Sequence, residues 1–291
     1  MVSRNGHVVA CSAEGGPNQP ALRRAQVAVA ETGVGLQIVR ELLTSKLEGQ
    51  LTLLQHSLPR HAPAAHAVER RLQGLQKVDS IGAALALEAK AASTYWARWQ
   101  ELPVQFARID ERKVPKHWLT FGDRHSPLSA SPRKAATPAS AILNYLYALA
   151  EFECRLAALA VGLDPGLGWA HRDTPYRDSA ALDLLEALRP AVDEHLLDLL
   201  ETRTFSRKEF AELPNGQVRL MPNLAHVLAT STLPTWERMA SSRAEIVAKI
   251  LATSATAASV FPGQRLAALG ARAVQRWREV PGSPPPSHRG S

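Results

Sequence analysis

Between Ala21 and Leu58 the apolar residues Val27, Leu36, Val39, Leu42 and Leu43 return every three or four positions, the spacing that gathers them on one face of an α-helix. Gly33 and Gly35 mark where that helix weakens or breaks. A second helical pattern runs from Ala67 to Leu102. It gives way over 103–137 to a segment with prolines at 103, 115, 127 and 132 and the basic run RHSPLSASPRK, which reads as an extended connector over a helical body. Thr137 and Pro138 then supply an N-cap and a first-turn proline, and no breaker follows until Gly162. A helix of about 24 residues, about 36 Å long, is expected there. Another starts at Asp178 or Ser179, with Pro190 expected to kink or restart it. Weaker signals predict helices over 206–213 and 220–251. HVVACS, at 7–12, is the one strand candidate, and the closing VPGSPPPSHRGS has the composition of a disordered tail. The chain reads as mainly α.

Composition narrows this picture only a little. In 291 residues, 45% are hydrophobic and 21% charged, a globular balance, and aromatics at 5% favour helices over an aromatic-rich β sandwich. Cys11 and Cys154 lie far apart and in no metal-binding spacing, which argues against a disulfide framework or a zinc finger. No apolar run reaches the length of a membrane span, and the N-terminus lacks the apolar core of a signal peptide. A soluble, cytoplasmic protein with no membrane partner is expected.

Charge is more informative when divided along the chain. Residues 1–140 hold 18 Lys/Arg against 11 Asp/Glu, residues 141–200 hold 4 against 10, and residues 201–291 hold 12 against 6. Basic flanks around an acidic centre suit a metal-dependent enzyme acting on a polyanion, because Lys and Arg hold phosphates while carboxylates hold the ion. Solvated helix faces with an uneven charge distribution would give the same counts.

The acidic centre contains GWAHRDTPYRDSAALDLLE, residues 168–186, a histidine in a Gly- and Pro-containing loop ahead of a helix with two carboxylates. His171-Arg172-Asp173 superficially matches a protein-kinase catalytic loop. That loop requires an Asn five residues after its Asp, where Asp178 stands here, and neither an Asp-Phe-Gly nor a Gly-rich phosphate loop is present. In the preceding helix, Glu151 has Arg155 one turn on, a surface pairing. Glu153 is flanked at helical spacing by Leu146, Leu149, Leu156, Ala157 and Ala160, none of which can offset its charge. Asp183 and Glu186, three apart, project from one helix face and repel unless a cation or Arg189 intervenes. Glu153, His171, Asp183 and Glu186 together form an oxygen-rich set with one imidazole, better suited to Mg²⁺ or Mn²⁺ than to zinc. An ordinary loop histidine and a Glu186–Arg189 pair remain the structural alternatives.

The run from Ser140 to Phe205, which includes LNYLYALAEFE, GLDPGLGWAH and SAALDLLEALRP, resembles the core of the CRISPR-associated spacer-acquisition endonuclease, the integrase of CRISPR adaptation. The close resemblance covers about 65 residues, with weaker similarity in KLEGQ, HWLTFGDRHSPLSASPRKAATP and GQVRLMPNLAHVLATSTLPTWERMA. In that family the helix delivers a catalytic Glu, the loop a His and the following helix two acids. They fall on Glu153, His171, Asp183 and Glu186. Two features depart from the family pattern: Thr137-Pro138-Ala139-Ser140-Ala141 replaces the usual Asn-Pro-x-Asn-Ala, and only HVVACS and its surroundings stand for an N-terminal β domain.

The resemblance implies a helical catalytic domain of CRISPR-adaptation-integrase type behind a remnant of a small β domain. The boundaries are 1–20 for the remnant, 21–136 for a helical region and connector, 137–255 for the catalytic core and 256–291 for a C-terminal segment. It further implies a metal-dependent DNA endonuclease/integrase that inserts spacers into CRISPR arrays by 3′-hydroxyl transesterification. Glu153, His171 and Glu186 would be the ligands of Mg²⁺ or Mn²⁺, with Asp183 a fourth ligand or the acid that orients the others. The implied partners are double-stranded and branched DNA, a second copy of the chain, and a small ferredoxin-like adaptation subunit. Arg124, Arg172 and Arg177 are candidates for phosphate contacts because they flank the site on loops. A stand-alone nuclease or transposon-type integrase, and a truncated non-catalytic DNA-binding relative, are the alternatives.

Overall fold

The computed structural model describes residues 19–58, 61–123, 134–171 and 173–257. Seven α-helices and a two-stranded hairpin account for the regular structure among them: α1 Pro20–Val29, α2 Gly33–His56, α3 Ala62–Leu75, α4 Ile81–Trp96, α5 Pro138–Val161, α6 Ser179–Thr202, β1 Phe210–Glu212, β2 Val218–Leu220 and α7 Pro222–Ala257. The mainly α class expected from the sequence is what the chain adopts. The strand candidate at 7–12, the C-terminal tail beyond 257, Arg124 and Arg172 lie outside the described residues.

The glycine break falls before Gly33. Thr32 caps α2, its Oγ1 accepting from Val34 N at 3.2 Å while donating to Val29 O at 2.8 Å, so one side chain closes α1 and opens α2. The buried face of α2 carries Leu36, Val39, Leu42, Leu43 and Leu47, but Lys46 and Gln50 are buried on it as well. This helix lies against α6 where Gly49 meets Pro190. A Cβ on Gly49 would stand 2.4 Å from the Pro190 Cβ, so only glycine permits that approach. Pro190 is accommodated inside a continuous α6 and does not restart it.

Helix α5 has the predicted ends. Thr137 Oγ1 accepts from Ser140 N at 3.2 Å, Pro138 opens the first turn, and Gly162 closes the helix in the left-handed region at φ 87°. Helices α6 and α7 pack on it. The segment after α4 is an extended strap, with isolated bridges between Pro103 and Thr120 and between Phe106 and Phe205. It is tied down by burying Phe106, Trp118 and Phe121.

One element differs from the sequence expectation. Residues 206–213 do not form an α-helix: a capping box between Ser206 and Glu209 closes a single 3₁₀ turn, and the chain then extends into β1. The reason is tertiary. Phe205 and Phe210 pack with Phe106, with ring centroids 5.6–6.3 Å apart, and a continuous helix would lose that arrangement. Gly216, at φ 71°, makes the turn that pairs Phe210 with Leu220. The last helix starts at Pro222 and runs to Ala257, longer than the expected 220–251.

Candidate active site

The loop from Gly162 to Asp178 is held from both sides. From α1, the Gln26 amide donates to Asp164 O at 2.8 Å and Leu167 O at 2.7 Å and accepts from Asp164 N at 3.0 Å, so all three contacts fix loop backbone. From α6, the fully buried Asp183 receives the backbone N–H groups of Trp169, Ala170 and His171 at 2.6, 2.9 and 3.0 Å. Its Oδ1 also lies 2.5 Å from His171 Nδ1. Gly168 allows this convergence, since a Cβ there would lie 2.7 Å from both His171 O and Ser179 Cβ. Four contacts converge on the Asp183 carboxylate and tie the loop to α6. An Nδ1–H donated to Asp183 fixes the imidazole ring and leaves the Nε2 lone pair free to bind a ligand.

Glu186 lies one turn further along α6 and is 8% exposed. Its Oε2 is 2.5 Å from Lys46 Nζ, and its Oε1 accepts from Arg189 Nε at 3.0 Å. The Glu186–Arg189 pair anticipated as a structural alternative is therefore present, with a second cation beside it. Burial alone would raise this carboxyl, but Arg189 and Lys46 hold it down at about 2. Lys46 is shared, with Glu88 Oε1 of α4 at 2.5 Å as well.

Glu153 is in the opposite electrostatic position. It is 7% exposed on α5, and among the described residues no ion pair neutralises it. Burial, reinforced by Glu237 on α7, pushes its carboxyl up to about 7. Arg155 reaches Asp178 Oδ2 at 2.8 Å and ties α5 to the residue preceding α6. Asp178 accordingly makes no side-chain cap, and the first-turn donors Ala180 N and Ala181 N are taken by Pro165 O at 2.8 and 3.3 Å. Arg177 lies in the same loop, beside Tyr176, whose side chain is fully exposed and whose φ is 63°.

The predicted residues divide into two sets. His171, Asp183 and Glu186 come together on the loop and the first turns of α6, while Glu153 stands apart on α5 with Glu237 of α7 as its electrostatic neighbour. Among the described residues no three His, Cys, Asp or Glu side chains are grouped closely enough to hold a metal ion. The donor chemistry nevertheless fits a hard divalent cation: an imidazole whose Nδ1 faces Asp183, and two buried carboxylates of which one, Glu153, has no ion pair among the described residues. Glu88 and Glu237 lie outside the recognised motifs, and Lys46, the first residue of KLEGQ, has no role in the sequence reading. Lys46 had a signal of the kind that marked Glu153, a charge interrupting an apolar helical stripe.

The chain belongs to the Cas1 family: the family described as CRISPR associated protein Cas1 matches residues 1–231. It is similar to the CRISPR-associated endonuclease Cas1 2 of Rhodospirillum rubrum, 34% identical over 213 residues, a match covering 68% of this chain and 57% of that protein. The chain thus spans little more than half the length of that relative. Its fold is shared with a casposase bound to integration product, at TM-score 0.66 and 22% identity, covering 87% of this chain and 74% of the other. It is shared also with a chain of a partial Cas6-RT-Cas1–Cas2 complex, at TM-score 0.64 and 13% identity, covering 90% and 80%. No helix among the described residues is long and apolar enough to cross a membrane.

Proposed function

We propose that this chain is a divalent-cation-dependent DNA endonuclease/integrase of CRISPR adaptation. The observation that carries the reading is the Asp183–His171 arrangement next to Glu186, in a chain of the Cas1 family. Glu153, His171 and Glu186 would hold Mg²⁺ or Mn²⁺, and when bound the ion would supply Lewis-acid activation of a 3′ hydroxyl and charge stabilisation at the phosphodiester.

The protein's own contribution is positional. Asp183 holds the His171 ring and the loop backbone in one orientation, so the Nε2 lone pair is presented without reorganisation. Arg189 and Lys46 keep Glu186 ionised at every working pH. In the reaction, the 3′ oxygen of one strand attacks phosphorus in another and the bond to the existing 3′ oxygen breaks. The number of phosphodiesters is unchanged. Arg124, Arg172 and Arg177 would contact phosphates around the site. The substrate would be double-stranded and branched DNA, with a second copy of the chain and a small ferredoxin-like subunit as partners; the likeness of fold to a casposase bound to integration product and to a chain of a Cas1–Cas2 complex supports DNA and a second subunit as partners.

A second reading, a DNA-binding relative without catalysis, is favoured by one observation: both Glu186 oxygens are engaged by cations. Strand transfer on branched DNA with Mn²⁺, with Mg²⁺ and with EDTA separates the two. The enzyme reading predicts metal-dependent joining that Glu153→Ala and His171→Ala each abolish while the helical circular-dichroism signal is retained. DNA binding with no joining or cleavage under any of these conditions would establish the alternative.

A further inference from the structure

Three helices meet at one buried ammonium. Lys46 Nζ of α2 lies 2.5 Å from Glu88 Oε1 of α4 and 2.5 Å from Glu186 Oε2 of α6, and its side chain is 8% exposed. Two carboxylates share one cation there, and the Arg189 guanidinium meets the other oxygen of Glu186, at 3.0 Å. A divalent ion arriving at Glu186 therefore meets two resident cations.

These cations are not equivalent. Arg189 is clamped: its guanidinium lies 4.7 Å over the Tyr147 ring, and Tyr147 in turn is hydrogen-bonded to the buried Asp193. Lys46 has a flexible stem, three donors that can be redirected, and a second carboxylate already in contact. It can leave Glu186 without becoming an unpaired buried charge, which Arg189 cannot do.

We propose that Lys46 is an internal counter-ion to Glu186 that yields this carboxylate to an incoming divalent cation and is retained by Glu88. Lys46 is a positioning residue, since it acts through Glu186, and Glu88 sets how readily it withdraws. The inference rests on the metal reading above and deepens it. It gives opposite signs for two substitutions. Removing the ammonium removes a competitor and leaves two carboxylates near the ion. Removing the Glu88 charge leaves Lys46 with Glu186 as its only carboxylate among the described residues.

The test is Mn²⁺ binding to the full chain without DNA, followed by electron paramagnetic resonance, with melting temperatures measured alongside. Lys46→Met should bind Mn²⁺ about tenfold more tightly than wild type. It should melt lower than wild type without metal and regain most of that loss at saturating Mn²⁺. Glu88→Gln should bind Mn²⁺ several-fold more weakly. A Lys46 acting only as structural packing would instead weaken binding when replaced, so either sign reversed or absent overturns the proposal. Should Lys46→Met not fold, Glu88→Gln decides alone, and unchanged or tighter binding overturns it. Wild-type protein that binds no Mn²⁺, or whose binding His171→Ala leaves unchanged, overturns the metal reading itself and this inference with it.

Discussion

Glu153 is a buried carboxyl with no ion pair among the described residues, and this has a measurable consequence for stability. Its carboxyl ionises near 4.5 in the unfolded chain and at about 7 in the folded protein. Below the lower value both states are protonated and nothing is lost. As pH rises between the two values the unfolded chain ionises first, so the folded state is progressively destabilised, reaching a full penalty of up to roughly 3 kcal/mol above the upper value. Glu153→Gln should therefore raise the melting temperature at pH 8 and leave it nearly unchanged at pH 4. Added Mn²⁺ should narrow the pH 8 difference by stabilising the wild type alone. Equal melting temperatures at pH 8 in chelator would show that Glu153 is neutralised by another group. Asp183, by contrast, is buried among hydrogen-bond donors. Asp183→Asn removes the charge that four contacts converge on, and should destabilise by about 3 kcal/mol and abolish strand transfer, as read by denaturant unfolding and a joining assay. At this scale Glu153 was legible as a charge on an apolar stripe. Which oxygens of Asp183 meet which loop amides was not, because those contacts depend on a loop fold that no local pattern encodes.

Helix ends follow local chemistry, whereas the way helices meet does not. Thr137, Pro138 and Gly162 bound α5 through capping and the left-handed turn that only glycine adopts readily, and each is readable from sequence. The Gly49–Pro190 contact could not be read, since it joins α2 to α6 across 141 positions of the chain. Gly49→Val should push the two helices apart, destabilise by about 1–3 kcal/mol and displace Lys46, one turn away, from Glu186. Thermal unfolding compared with Gly82→Ala, where an added Cβ meets nothing within 4 Å, is the control. An equal effect of the two substitutions would remove the contact from the account. The hairpin in place of the helix expected at 206–213 makes the same point. The local signal for helix is outweighed by the burial of Phe205 and Phe210 against Phe106.

The charge map bears on the whole molecule. Basic flanks around the acidic 141–200 segment predict DNA binding that tolerates sequence and weakens steeply with salt, with a slope of about −0.9 in log affinity against log salt for each neutralised phosphate. Asp183→Asn combined with Glu186→Gln should bind DNA at least as tightly as wild type while showing no joining. Fluorescence anisotropy across a salt titration, alongside a joining assay, measures both. Negligible binding at low salt would exclude every nucleic-acid reading of this chain.

The sequence alone determined the helical class, the ends of α5, the start of α6 and the residue types of the site. These depend on periodicity, capping and the cost of a charge on an apolar face, which act over a few residues. Tertiary structure decided how those residues are used. Asp183 became the anchor of the His171 loop because Gln26 and Gly168 bring the loop backbone onto it. Glu186 acquired a second cation because Gly49 lets α2 approach Pro190 and carries Lys46 inward. Burial converts such long-range contacts into fixed charges and fixed rotamers, and burial is a property of the packed chain.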